Sequence, residues 1–184
     1  MVRCFVGILV PEKLRQNIKK IMEEIKKLPI RCKFVEEHNL HICLSFLGEI
    51  KENEVEKIKK ILDTLSSTFK PFEVFVEGIK LIPNERFLRV IALDVKDENE
   101  KIESLRKMVV KNIGGDSKPP HITLCRVKTI EERELVIKKI KEMSNLRVGA
   151  MKIDRIQLIK SELNRAGPTY SIIHESSFVK EALP

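Results

Sequence analysis

At 184 residues, with 42% hydrophobic and 34% charged side chains, the chain is apolar enough to bury a sizeable core, as one large domain or two small lobes, and is no disordered segment. Its formal net charge of +8 suits a polyanion such as RNA, although lysines spread over several helices also describe a plain solvated surface. No apolar run approaches a membrane span, and Met1-Val2-Arg3-Cys4-Phe5 lacks the apolar region of a signal peptide, so a cytoplasmic chain with no membrane partner is expected.

Arg3 to Val10 is β-rich and alternating, which predicts a strand. Pro11-Glu12 opens a helix, because proline suits a first helical turn and an acid favours its dipole. Leu14, Ile18, Ile21, Met22, Ile25 and Leu28 recur at helical spacing until Pro29. Lys33-Phe34-Val35 reads as a short strand, and Leu40 to Leu47 as a longer one ending at Gly48. The helical period returns at Val55, Ile58, Ile61, Leu62 and Leu65. Phe72 to Val76 is a strand, continued weakly over Ile79 to Ile82, and Phe87 to Val95 is another. Ile102, Leu105, Met108 and Val109 mark a helix that Gly114-Gly115 ends. Lys118-Pro119-Pro120 is a stiff extended approach to the strand His121 to Val127. Glu131 to Met143 reads as a helix of mixed charge. Leu146 to Val148 and Met151 to Ile159 read as strands, 164 to 168 as a turn, and Thr169 to Ser176 as a last strand. The tail after Phe178 is expected to fray.

Strand, helix and histidine strand thus occur twice in the same order. The repeat suggests two similar lobes related by an approximate two-fold axis, with both histidine strands at a shared cleft. The expected fold is therefore α+β: a two-lobed, duplicated fold with antiparallel sheets around a central cleft and helices outside, in a single bilobal domain over 1–184. No heptad or long apolar exposed stripe appears, so a monomer is expected.

The two histidine strands carry His41-Ile42-Cys43-Leu44 and His121-Ile122-Thr123-Leu124. In a strand the histidine and the residue two places on share one face. Two such strands side by side aim two imidazoles and two small polar groups at one spot. Hydrolysis of a phosphodiester needs a base for water, an acid for the leaving oxygen, and donors for charge developing on the phosphoryl oxygens. Imidazole titrates near neutral pH and supplies acid and base; Thr123 supplies a hydroxyl donor. Arg126 would add a forked cation. Simple alternation puts it on the face opposite His121, so it reaches the site only around a bulge or strand end, or else it is a surface charge. A metal set of His41, Cys43, His121 and Cys125 is the alternative on these strands, with no further cluster to support it. Four cysteines without a C-x-x-C pair read as reduced thiols. His38 and His174 read as structural or surface residues.

Arg3-Cys4-Phe5-Val6-Gly7-Ile8, Asn39 to Glu49 around the first histidine, Pro120 to Val127 around the second, and Ser161-Glu162-Leu163 with Gly167-Pro168-Thr169-Tyr170 occur in order along nearly the whole chain. Together they resemble the two-histidine phosphoesterases, and within them the RNA 2′,3′-cyclic phosphodiesterases, also called 2′-5′ RNA ligases. The resemblance implies hydrolysis of an RNA 2′,3′-cyclic phosphate end to a 2′-phosphate, with neither metal nor nucleotide cofactor. It also implies reversible 2′-5′ joining of RNA halves such as cleaved tRNA. On this reading His41 is the proton donor to the departing O3′ and His121 the proton acceptor from water, though the symmetry of the motifs leaves the order open. Thr123 and Cys43 would face the phosphate, and Arg126 matches the family's arginine. Phe5 would stack on a base, or pack in the core. Cys43 departs from the family's usual Thr or Ser. A thiol is a weaker donor, so a binding module with reduced or lost catalysis is the rival reading.

Overall fold

The computed structural model describes residues 1–165 and 167–179. The alternating start of the chain forms β1 (Val2–Leu9). Next come α1 (Glu12–Lys26), β2 (Ile30–Phe34), β3 (His41–Ile50), α2 (Glu52–Ser66), β4 (Phe72–Ile82) and β5 (Val90–Lys96). The second half continues with α3 (Lys101–Ile113), β6 (His121–Ile130), α4 (Arg133–Glu142), β7 (Arg147–Ile153), β8 (Arg155–Leu163) and β9 (Pro168–Ser177). Among the described residues the strands join one curled antiparallel sheet in the order β7-β4-β5-β6-β3-β1-β8-β9, with β2 paired to β6. Residues 180–184, where the frayed tail is expected, lie outside the described residues, as does Ala166 of the expected turn.

Some boundaries differ from the sequence expectation. β4 is one strand through Gly78, where the register with β5 shifts between Glu77 and Ile79. Gly78 sits at φ +71 and donates its N–H to Leu146 O at 2.9 Å, so a bulge replaces the expected break. β5 starts only at Val90, and Phe87 is exposed in the loop before it. β7 and β8 divide at Asp154 rather than between Val148 and Met151.

The sheet has two halves. One is β9-β8-β1-β3 and the other β6-β5-β4-β7. The two sheets expected are thus one, joined where β3 meets β6, and the only registered pair at that join is Ile42 with Ile122 among the described residues. Both isoleucines are fully buried, so the join is apolar on its helix side. Beyond it the strands part and leave a cleft.

The helices cover the other face. α1 turns Leu14, Ile18, Ile21, Met22 and Ile25 inward, as its period predicts. Each such burial contributes about 1.5–3 kcal/mol. α1 leaves its own half and packs on β7, where Asn17 Nδ2 donates to Val148 O at 3.0 Å. α3 crosses in the opposite sense and packs against β3. The exchange ties the halves over one core and compensates for the thin join in the sheet.

Candidate active site

The two halves match rung for rung where the histidines stand. In the β1–β3 ladder Leu9 faces His41, Ile8 Ile42, Gly7 Cys43, Val6 Ser45 and Phe5 Phe46. In the β5–β6 ladder Asp94 faces His121, Leu93 Ile122, Ala92 Thr123, Ile91 Cys125 and Val90 Arg126. Each motif strand carries one extra residue at the same place, Leu44 in β3 and Leu124 in β6. A bulge of this kind shifts the alternation by one residue. Burial records the shift: Leu44 and Ser45 are both buried in succession, and so are Leu124 and Cys125.

The bulge decides the position of Arg126. Strict alternation sends it away from His121; the extra residue returns it to the face of His121 and Thr123. Phe46 returns in the same way to the face of His41 and Cys43. Small residues, Gly7 and Ala92, stand opposite Cys43 and Thr123, and residues opposite one another share a face. They keep the floor between the histidines low. A Cβ on Gly7 would come 2.7 Å from Ile42 O and 3.1 Å from the Phe5 ring, so glycine is needed there for close approach.

Each imidazole is anchored by the same device. His41 Nδ1 lies 2.7 Å from Asn39 O, and His121 Nδ1 lies 2.8 Å from Pro119 O. A carbonyl only accepts, so each Nδ1 carries the proton and donates. The Nε2 lone pair of each ring is thereby left available for a proton. Pro119 is set by the stiff Lys118-Pro119-Pro120 segment. Asn39 is held instead through its side chain, whose Nδ2 donates to Pro168 O at 2.7 Å.

The two rings differ in surroundings. Burial holds the His41 imidazolium down, to a pKa of about 4; the Asn39 carbonyl opposes this, and the nearby His121 and Arg126 cations add to it. His121 is also lowered by burial, against the Pro119 carbonyl, with Lys80 and Lys118 lowering it further and Asp94 opposing them. Asp94 is itself bound to Lys80 Nζ at 2.6 Å. Cys43 is pushed up to about 11 by burial and by Asp116. It is a neutral thiol near pH 7, which leaves no thiolate nucleophile there.

Two alternatives left open by the sequence are separated by this geometry. Phe5 is only 2% exposed. Its ring packs 4.7 Å from that of His41 and 5.0 Å from that of Tyr170, so no open face is offered to a base. It supports His41 from below. Cys125 is fully buried with the core and does not share the cleft with His41, Cys43 and His121. Among the described residues no group of three or more His, Cys, Asp or Glu converges as a metal site.

Tyr170 is the site residue that pattern reading passed over as part of a terminal signature. It reaches the cleft from β9, with its ring 5.3 Å from that of His41 at 85°. It is the single tyrosine of the chain, which was the available signal. Arg3, also unassigned by pattern, places its guanidinium 4.8 Å from the centre of the Phe46 ring. Lys80 and Lys118 likewise gave no pattern signal.

A curled, duplicated antiparallel sheet with two carbonyl-anchored histidines facing one cleft defines a two-histidine phosphoesterase. The family model described as LigT like Phosphoesterase matches residues 8–92 and again 93–170, and the chain belongs to that family. The first match ends and the second begins inside β5, between Ala92 and Leu93. Among curated relatives, the RNA 2′,3′-cyclic phosphodiesterase of Methanocaldococcus jannaschii is 33% identical over 178 residues, covering 94% of this chain and 99% of the relative. That of Methanothermobacter thermautotrophicus is 31% identical over 175 residues, covering 92% and 95%. Among solved structures, TT0787 of Thermus thermophilus superposes with a TM-score of 0.78 at 26% identity, covering 98% of this chain and all of that one.

Proposed function

We propose that this chain hydrolyses the 2′,3′-cyclic phosphate at an RNA end to a 2′-phosphate, without metal or nucleotide cofactor. The observation that carries the reading is the pair of Nδ1-anchored imidazoles repeated on matching rungs of the two ladders. The curated names of the relatives support the same substrate.

In this mechanism the cyclic phosphate sits between the rings. His121 Nε2 takes a proton from water as the water oxygen bonds to phosphorus. The P–O3′ bond breaks, and His41 gives its Nε2 proton to O3′, leaving the phosphate on O2′. Thr123 donates its hydroxyl to a non-bridging oxygen, and Arg126 offsets the developing charge. Cys43 makes the weaker, thiol contact on the other side. This order requires His41 to take up a proton when the substrate binds, because burial keeps the ring neutral without it. His41 is the stronger acid once protonated, since burial opposes its charge. The substrate's own negative charge is what brings the proton to it. Phe5 and Tyr170 hold the ring in place.

The same groups serve a second nucleophile in the same displacement of O3′. A 5′-hydroxyl in place of water yields a 2′-5′ linkage between two RNA halves, such as those of cleaved tRNA. A cytoplasmic setting accords with the free thiols of Cys4, Cys32, Cys43 and Cys125.

The test is incubation of RNA ending in a 2′,3′-cyclic phosphate with EDTA and without ATP. Conversion to a 2′-phosphate end is expected, and its loss in both His41→Ala and His121→Ala. RNA binding without conversion would favour the binding module, and activity that requires added zinc would overturn the metal-free mechanism.

A further inference from the structure

The cleft opens where β3 and β6 part, and the C-terminal end of β2 lies there. β6 pairs with β3 at Ile122, then with β2 from Cys125 to Ile130. In that ladder Lys33 stands opposite Arg126. Residues directly opposite share a face, so Lys33 lies beside Arg126 on the cleft side. Arg31 is two residues further and lies on the face of Lys33. Exposure follows: Arg31 and Lys33 are exposed, while Ile30, Cys32 and Phe34 between them pack against the core. The result is a row, Arg126, Lys33, Arg31, leading away from the histidines.

Among the described residues none of the three has a carboxylate partner. The neighbouring turn carries two acids: Glu37 is occupied by Lys19 at 2.7 Å, and Glu36 is exposed, with no ion pair to the row among the described residues. On the other side stands the tip of the β8–β9 hairpin: a Cβ on Gly167 would lie 3.8 Å from Lys33 Nζ. The tip is fixed there by the Asn39 to Pro168 hydrogen bond. Row and tip border one path that starts at the site. Lysine on an edge strand also discourages edge-to-edge pairing. That accounts for charge on β2, and alternation puts both charges on the face of Arg126, since the other face packs on the core.

We propose that β2 is the track for the RNA strand that ends in the cyclic phosphate, with Lys33 and Arg31 holding successive phosphates on its 5′ side. This rests on the proposed function, because a cyclic 3′ end has chain on its 5′ side alone. Along a strand, side chains two apart are separated by about 7 Å, comparable to one nucleotide step of an extended strand. The enzyme then prefers an RNA oligomer to a mononucleoside cyclic phosphate.

The test compares kcat/KM on a hexaribonucleotide ending in a 2′,3′-cyclic phosphate with that on adenosine 2′,3′-cyclic phosphate. The enzymes are the wild type, Arg31→Ser/Lys33→Ser, and a control with the same charge removed from α2, Lys57→Ser/Lys60→Ser. The track variant should lose about tenfold on the hexamer and keep its rate on the mononucleotide; the control should lose nothing on either. Equal loss on both substrates, no loss, or an equal loss in the control overturns the track. Fluorescence anisotropy with a hexamer ending in a 2′-phosphate reads the track without turnover. Removing two phosphate contacts should flatten the slope of log K against log salt by about 1.4. A wild type that turns over neither substrate refutes the proposed function; an unchanged anisotropy slope and affinity in the variant refutes the track.

Discussion

Phe46 and Arg126 stand on equivalent rungs, each five residues after its histidine and each returned to the cleft face by a bulge at the leucine two places before it. One half therefore offers an aromatic ring and the other a cation. Arg3 partly restores the balance by laying its guanidinium over the Phe46 ring. The two-fold symmetry of the backbone is thus broken by side chains at this rung.

The asymmetry makes Arg126 the cation to remove. Arg126→Ala should lower kcat/KM on a cyclic-phosphate RNA by about 30-fold to 1,000-fold, the range for losing one charged donor in a transition state, on the order of 2–4 kcal/mol. Arg126→Lys should recover part of this, because the charge returns without the fork. Steady-state kinetics with a folded-state check by circular dichroism measure both; a rate within twofold of wild type for Arg126→Ala would remove the residue from the site.

Cys43 and Thr123 face the same cleft from matching rungs, and burial keeps the Cys43 thiol protonated. Cys43→Thr replaces a weak donor with a strong one. Turnover should rise several-fold, up to about tenfold, a gain well inside the 2–4 kcal/mol range for a good donor. An unchanged or lower rate means that Cys43 does not contact the phosphate.

The pH dependence of stability follows from His41. Its folded pKa is depressed, to about 4, below the unfolded value of about 6.5. Between these values the unfolded chain binds more protons, so stability is full above pH 6.5 and falls as pH drops toward 4. The loss is at most about 3 kcal/mol. Urea titrations from pH 7.5 to 4 should show this slope, and His41→Gln should flatten it; an equal slope in the variant would exclude His41 as its source. Since both histidines are lowered, the alkaline limb of kcat/KM should bend below pH 6.5, while that of kcat lies higher because the bound anion favours the imidazolium.

Tyr170 covers His41 and so maintains part of its burial. Tyr170→Ala should let water reach the ring and move the His41 pKa up toward 6.5, whereas Tyr170→Phe should keep it low. Proton–nitrogen NMR titration of the imidazole reads the shift directly. A His41 pKa that stays put in Tyr170→Ala would show that the sheet alone buries the ring.

Gly7 tests the close approach beneath the site. Gly7→Ala sets a Cβ against Ile42 O and the Phe5 ring. Overpacking of this kind costs about 1–3 kcal/mol, which should appear as a lower urea midpoint with an unchanged m-value. A midpoint equal to wild type would mean that β1 and β3 separate easily there.

By itself the sequence determined the elements and their repetition. Apolar spacing specifies α1 through Leu14, Ile18, Ile21, Met22 and Ile25 because local periodicity selects which face is buried. The two His-x-(Cys/Thr)-Leu strands and their order were equally legible, since alternation is local. Tertiary structure alone decided the rest. The bulges at Leu44 and Leu124 depend on how β1 and β5 pair with the motif strands, and only they bring Arg126 round to Thr123. The rings packed on His41 are those of Phe5 and Tyr170, 36 residues before it and 129 after it in the chain. Between the two readings of Phe5, a surface for a base or a packed ring, burial selects the second for the same reason: a ring's exposure is set by what folds over it, which no local pattern encodes.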